Sequence, residues 1–153
     1  MELLKFGEKW SYEDEEPKKV SEADLRTAEI NLKISFPNEY VEQVLAVGLP
    51  RGPKLLDAIC DFEMDLHDLS EFCTPPEIVE ETVSWHKIGL PDHLVVIATD
   101  CMGSKFCFDT AELKDGPKQS AAIYFWDHEM DETEKLADSF RNWILSYLGS
   151  WSD

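Results

Sequence analysis

The run Leu94-Val95-Val96-Ile97-Ala98-Thr99 constrains the fold more than any other stretch of the chain. It is β-branched, nearly all apolar and too short for an independent helix, so it reads as a central sheet strand covered on both faces. Asp100-Cys101-Met102-Gly103-Ser104 is a tight connection in which Asp100 serves as turn acceptor and Gly103 takes a positive φ. Lys105 to Phe108 forms the next strand, with Phe106 and Phe108 on one face and Cys107 on the other. Asp115-Gly116-Pro117 marks a longer turn before Ala121 to Phe125, the third strand of an antiparallel meander.

Helical periodicity surrounds this sheet. Ser21 caps a first helix whose stripe is Leu25, Ala28 and Leu32, and which stops before Pro37. Pro37 and Glu39 suit the first turn of a second helix, with Tyr40, Val41, Val44 and Leu45 as its buried face. Gly48 to Pro53 is an irregular loop. Leu55 to Leu69 fits an edge strand or a short helix, because its apolar residues are interrupted by acids. Pro75-Pro76 opens a further helix that Gly89 and Pro91 close. A final helix is expected from a capping box at Asp131 and Glu134, with Leu136, Phe140, Trp143, Ile144, Tyr147 and Leu148 as its stripe.

A chain of 153 residues with 43% apolar residues supports one domain with a sizeable core. The expected organisation is a polar lead-in over 1–20, a single α+β domain over 21–149 and a short tail over 150–153. Thirty-two acidic against fourteen basic residues give a net charge of -18. A field of that sign disfavours nucleic acid and anionic membrane as partners and attracts basic proteins. The opening residues carry neither a signal peptide nor a membrane anchor, so a cytoplasmic address is expected, with Cys60, Cys73, Cys101 and Cys107 as reduced thiols.

Catalytic and metal chemistry finds little support. Asp127-His128-Glu129 is the most tempting cluster, but in an extended segment His128 points away from its two acidic neighbours. His67, His86 and His93 lack zinc-type spacing. Cys101 and Cys107 match no common redox or zinc spacing and read as buried small hydrophobes, and Ser139 has no nucleophile elbow around it. No cofactor, metal or catalytic residue is therefore expected, and a hydrolase centred on His128 ranks behind every binding role.

The acidic stretches carry more information. Asp61, Glu63, Asp65, Asp68 and Glu71 fall in one segment, and Trp126, Asp127, His128 and Glu129 in a second that the fold can bring near the first. Both a solvated face and a partner-binding face account for them. The binding account requires Leu66, Leu69, Phe72, Trp85 or Trp126 exposed among the charges, since buried aromatic anchors supply much of the affinity at an interface.

Several segments together resemble the SUKH superfamily, which includes bacterial immunity proteins against polymorphic toxins and fungal cell-wall regulators. They are Glu29 to Tyr40 with its hydrophobe-Pro and aromatic signature, Leu94 to Asp100 with Gly103 and Lys105 to Asp109, Ile123 to Glu129, and Ser139 to Ile144. Two places depart from the pattern: Ala46-Val47-Gly48-Leu49-Pro50 replaces an Asn-Gly type turn, and Ser104-Lys105 stands where Gly-Asp is usual. The resemblance implies an α+β fold with a twisted, mainly antiparallel sheet, a central meander and flanking N-terminal and C-terminal helices. It also implies stoichiometric neutralisation of a cognate toxin, often a nuclease, without catalysis. A regulatory or scaffolding domain that binds an ordinary cellular protein is the alternative, and the oligomeric state is left open.

Overall fold

The computed structural model describes residues 1–63 and 66–149. Its centre is the hairpin of β2 (Leu94–Thr99) and β3 (Lys105–Asp109), in a five-stranded antiparallel sheet of order β1-β2-β3-β4-β5. β1 (Glu71–Phe72) forms one edge, β4 (Ile123–Asp127) pairs with β3, and β5 (Glu132–Ala137) forms the other edge. The sheet is thus α+β in class with the expected meander inside it, widened by one strand on each side.

Both faces of β2 and β3 are covered. On one face Phe106 and Phe108 meet α3 (Asn38–Val47) and α7 (Phe140–Ser146): Tyr40 crosses Phe108 edge-on at 5.4 Å, and Trp143 lies 5.0 Å from Phe106. On the other face α5 (Pro75–His86) packs on β2, and α2 (Glu22–Leu32) packs on α5. A β-bulge between Val96 and Ala98 breaks the ladder to β3, and the Val96 N–H donates instead to the hydroxyl of Thr82, buried on α5, at 3.0 Å. That bond spares the bulge an unsatisfied donor in the core.

Local sequence chemistry sets the helix ends. Ser21 caps α2 by accepting the Asp24 N–H at 3.1 Å, and the Lys33 backbone ends the helix in the left-handed region. Thr74 and Glu77 form a capping box ahead of α5, with the Thr74 N–H donating to Glu77 at 2.9 Å. Ser139 caps α7 by accepting the Asn142 N–H at 3.0 Å, which gives that serine a purely local task. Gly48, at φ 89°, lets Lys18 and Leu49 bridge: a Cβ there would lie 2.6 Å from the Lys18 carbonyl oxygen.

Three expectations are corrected, one open choice is resolved and one further helix is found. Residues 2–10, expected within a polar lead-in, form α1 (Glu2–Trp10), whose Leu3, Phe6 and Trp10 are buried at helical spacing. Its Trp10 indole donates to the Tyr147 carbonyl at 3.1 Å, so α1 belongs to the core layer of α3 and α7. On α3, Leu45 is exposed and Gln43 is buried in its place, where it accepts the Leu3 N–H at 2.8 Å. The ambiguous stretch after Pro53 begins as a helix, α4 (Pro53–Asp61). The largest correction concerns the C-terminal region, where Asp131 and Glu134 do not cap a helix. Asp131 takes φ 50° in a hairpin turn, Glu132–Ala137 pair with β4 as β5, and α7 starts only after Ser139. A short helix, α6 (Thr110–Leu113), follows β3 and was not expected.

Of the expected stripe, Phe140, Trp143, Ile144 and Tyr147 are buried, whereas Leu136 lies on β5 and Leu148 is half-buried past the end of α7. Trp143 is 1% exposed and is ringed by Phe72, Phe106, Phe140 and Tyr147, while its indole N–H has no acceptor in hydrogen-bonding geometry among the described residues. Trp143→Ala is expected to cost about 3–5 kcal/mol in urea unfolding through the cavity it leaves. Trp143→Phe, which keeps one aromatic ring and gives up part of the indole volume together with an unpartnered donor, is expected to cost clearly less. A Trp143→Ala loss below about 1 kcal/mol would place this side chain outside the load of the core.

Candidate functional site: an acidic rim at one end of the sheet

Antiparallel pairing brings three loops to one end of the sheet. β2 ends and β3 begins there, joined by residues 100–104; β4 ends and β5 begins there, joined by residues 128–131; and β1 starts there, fed by residues 66–70. The turn at 100–104 is the hub. One Asp100 carboxylate oxygen accepts the N–H groups of Met102 at 2.9 Å and Ser104 at 2.8 Å, and Gly103 sits at φ 94°. The roles expected for Asp100 and Gly103 are the ones they fill.

Each acidic segment docks on that hub. Asp68 accepts the Cys101 N–H at 3.0 Å and faces the Cys101 thiol at 3.4 Å. From the other side, His128 Nδ1 lies 3.2 Å from the buried Ser104 hydroxyl, and the His128 ring closes over the space where a Cβ on Gly103 would stand. His67 adds a third tie: its ring stacks on Phe125 at 3.8 Å, and its Nε2 approaches Glu134 at 2.6 Å. Asp127 accepts the N–H groups of Glu129 at 3.0 Å and Met130 at 3.2 Å, which tightens the second turn.

The remaining sequence candidates are dispersed. Asp61 and Glu63 lie exposed at the end of α4, Glu71 is on β1 in an ion pair with Lys18 at 2.9 Å, and Asp65 is outside the described residues. Trp126 is buried, packs on Trp85 at 5.9 Å and donates its indole N–H to Asp131 at 3.0 Å, so it supports the turn from beneath. Lys105 is also drawn inward: its ammonium lies 4.4 Å over the Trp85 ring and 3.6 Å from Glu81. The Ser104-Lys105 pair that departs from the family pattern therefore faces the interior. Among the described residues no group of three or more His, Cys, Asp or Glu side chains is placed to hold a metal.

The apolar anchors expected among the charges are not those named from sequence. Leu69, Phe72 and Trp126 are buried, and Leu66 and Trp85 are half-buried. The exposed ones are Phe62 at 72%, beside Asp61 and Glu63, and two methionines, Met102 at 65% and Met130 at 64%. Each methionine occupies a turn between two strands, flanked at close range by acids. A large apolar residue that belongs to no helix stripe and no strand alternation was the available signal.

The cysteines divide in two. Cys73 and Cys107 are buried and Cys60 and Cys101 are exposed, all four as free thiols, so Cys107 behaves as the small core hydrophobe expected and Cys101 does not. Burial, aided by nearby carboxylates, pushes the Cys73 thiol up to about 12. The Cys101 thiol is also raised, first by partial desolvation and then by the Asp68 carboxylate against it.

Helices on both faces of an antiparallel sheet, with an acidic rim of loops at one sheet end, define the chain as an α+β domain. Residues 3–149 match the family model described as SUKH_5, SMI1-KNR4 cell-wall. The chain belongs to this family, within the SUKH superfamily. Among solved structures, a crystal structure of a protein from Pseudomonas syringae pv. tomato shares the fold at 16% identity, with 94% of this chain and 93% of that chain covered and a TM-score of 0.55. No curated protein matches the chain. No helix among the described residues is long and apolar enough to cross a membrane.

The contact between Asp68 and Cys101 is open to a direct check. Only thiolate reacts with maleimide, and the carboxylate disfavours thiolate, so Asp68→Asn should speed Cys101 labelling at mildly alkaline pH while Cys60 labelling stays unchanged. Site-resolved mass spectrometry reads both rates. Equal Cys101 rates in the two proteins would mean that the 66–70 segment does not rest on the hub.

Proposed function

We propose that this chain is a non-catalytic protein-binding domain of the cytoplasm that neutralises a cognate toxin, a basic effector domain such as a nuclease, by stoichiometric binding. The binding face is the acidic rim, with Asp68, Asp127, His128 and Glu129 at its centre and Trp126 supporting it from below, and the exposed Asp61 and Glu63 and the paired Glu71 add to the negative field from neighbouring elements. The observation that carries this reading is the clustering of exposed Met102 and Met130 with carboxylates on the loops at one end of the sheet. Opposite charge accelerates encounter, and flexible, polarizable methionines at the same place supply adaptable apolar contact once water is displaced. Family membership is the second support, because immunity proteins are among the superfamily that the sequence resembles.

A regulatory domain serving an ordinary cellular protein is the other reading, favoured by the cell-wall wording of the family description. Gene neighbourhood separates the two: a toxin gene directly upstream belongs with immunity, and a solitary housekeeping locus with regulation. The functional experiment co-expresses the chain with the neighbouring toxin gene and captures the complex from lysate. Growth rescue with a one-to-one complex is the expected result, and a variant with Asp61→Asn, Glu63→Gln, Glu129→Gln, Met102→Ser and Met130→Ser should fold normally yet protect poorly. Absence of rescue together with absence of a captured toxin domain contradicts the immunity reading.

A further inference from the structure

The end of α1 and the segment that follows it line an open cavity of about 410 Å³ against α3 and α4. We propose that this cavity receives an arginine side chain presented by a partner polypeptide. The inference uses none of the residues of the sheet-end rim and stands independently of the function proposed for that rim.

Shape and lining come first. Leu4, Tyr12 and Val47 give the cavity an apolar wall, and two of these are unusually open for large apolar residues, Leu4 at 49% and Tyr12 at 51% exposed. An apolar wall of this kind suits the three methylenes of an arginine stem. Charge comes second. Glu8, Glu13 and Glu15 line the same cavity against a single cation, Lys54. Glu15 is engaged in accepting the Tyr12 N–H at 3.0 Å, which fixes the segment as a turn. Glu8 and Glu13 are exposed, and among the described residues neither has a hydrogen-bond or ion-pair partner.

The third observation concerns the Tyr12 ring. Lys54 already holds its ammonium over that ring, 5.4 Å from the centroid, so the face of Tyr12 is oriented to take a cation. A guanidinium does so better than an ammonium, because it is planar, stacks on aromatic faces and is more weakly hydrated. It also presents several donors at once to the carboxylates of Glu8 and Glu13. Lys54 is then a competitor at the site: an incoming arginine displaces it from Tyr12 and is repelled by it. Lysine on the partner would meet the same charges without the stacking.

The probe is n-butylguanidinium, an isolated arginine side chain, with n-butylurea as its neutral counterpart of nearly the same shape. Amide chemical shifts of Gly7, Glu8, Ser11, Tyr12 and Val47 in the full chain are expected to move with the guanidinium and to move little with the urea. The Glu8→Gln, Glu13→Gln double variant, both positions being exposed, should weaken the titration about threefold or more while melting at the same temperature. Lys54→Gln should strengthen it, an outcome that mere loss of packing would not produce. Equal shifts with both probes, an unchanged titration in the double variant, or a weaker one in Lys54→Gln would each overturn the proposal. Shifts confined to residues 66–70, 100–104 and 128–131 would overturn it too, by assigning guanidinium recognition to the rim.

Discussion

The hairpin Leu94–Thr99 and Lys105–Asp109 is buried on both faces, and β1, β4, α3, α5 and α7 pack directly against it. One face is sealed by an aromatic layer in which Tyr40, Phe108, Phe106, Phe140 and Trp143 meet edge-on or tilted at 5.0–5.8 Å. The other is sealed by α5, with α2 behind it. Such packing leaves an antiparallel sheet only its ends and edges for display. Loops at the strand ends are thus where the exposed Met102 and Met130 stand among carboxylates that tie those loops together, and the net charge of -18 lies outside an apolar centre. Even Lys105, which begins β3, is 4% exposed and stabilised by Trp85 and Glu81.

Much of this was legible in the sequence because local signals and tertiary demand agree. Leu94 to Thr99 has nowhere to be but a covered strand, Ser21 and the Pro75-Pro76 pair mark helix starts by their backbone chemistry, and Asp100 with Gly103 can make only a tight turn. The failures share a different cause. Leu136 fits a helical stripe with Phe140 and equally fits an edge strand, and the arbitration came from Asp131 accepting a left-handed φ, which no period reveals. Glu132–Ala137 is a charged, mostly exposed strand, and edge strands of that kind lack the alternation that identifies buried ones. In α1 the stripe Leu3, Phe6 and Trp10 was present, but a glycine and several charges between its members masked it.

Of the sequence candidates, the sheet end gathers Asp68, Asp127, His128 and Glu129, while the apolar anchors named with them are buried or half-buried. Periodicity ranks apolar residues by how well they join a core face, so Leu69, Phe72 and Trp126 attracted attention as aromatic or aliphatic neighbours of acids, and the core claimed all three. Residues that belong to no periodic face, Phe62, Met102 and Met130, were left to solvent. Proximity of the two acidic segments was likewise a matter of topology: only antiparallel order places residues 66–70, 100–104 and 128–131 at one sheet end.

The picture that emerges separates two kinds of energy. Burial of the hairpin sets stability, while a crowded acidic surface works slightly against the compact state, and on the function we propose it serves to attract a partner of opposite charge. Long-range attraction of this sort acts on encounter more than on the final contact, and ions screen it over roughly 10 Å at about 0.1 M salt. The measurement that bears most directly on this account is the association rate of the chain with its captured protein partner as a function of ionic strength. A rate that falls steeply with added salt, while the dissociation rate changes little, is the predicted result. An association rate independent of salt would contradict it, and would reduce the acidic rim to a means of staying in solution.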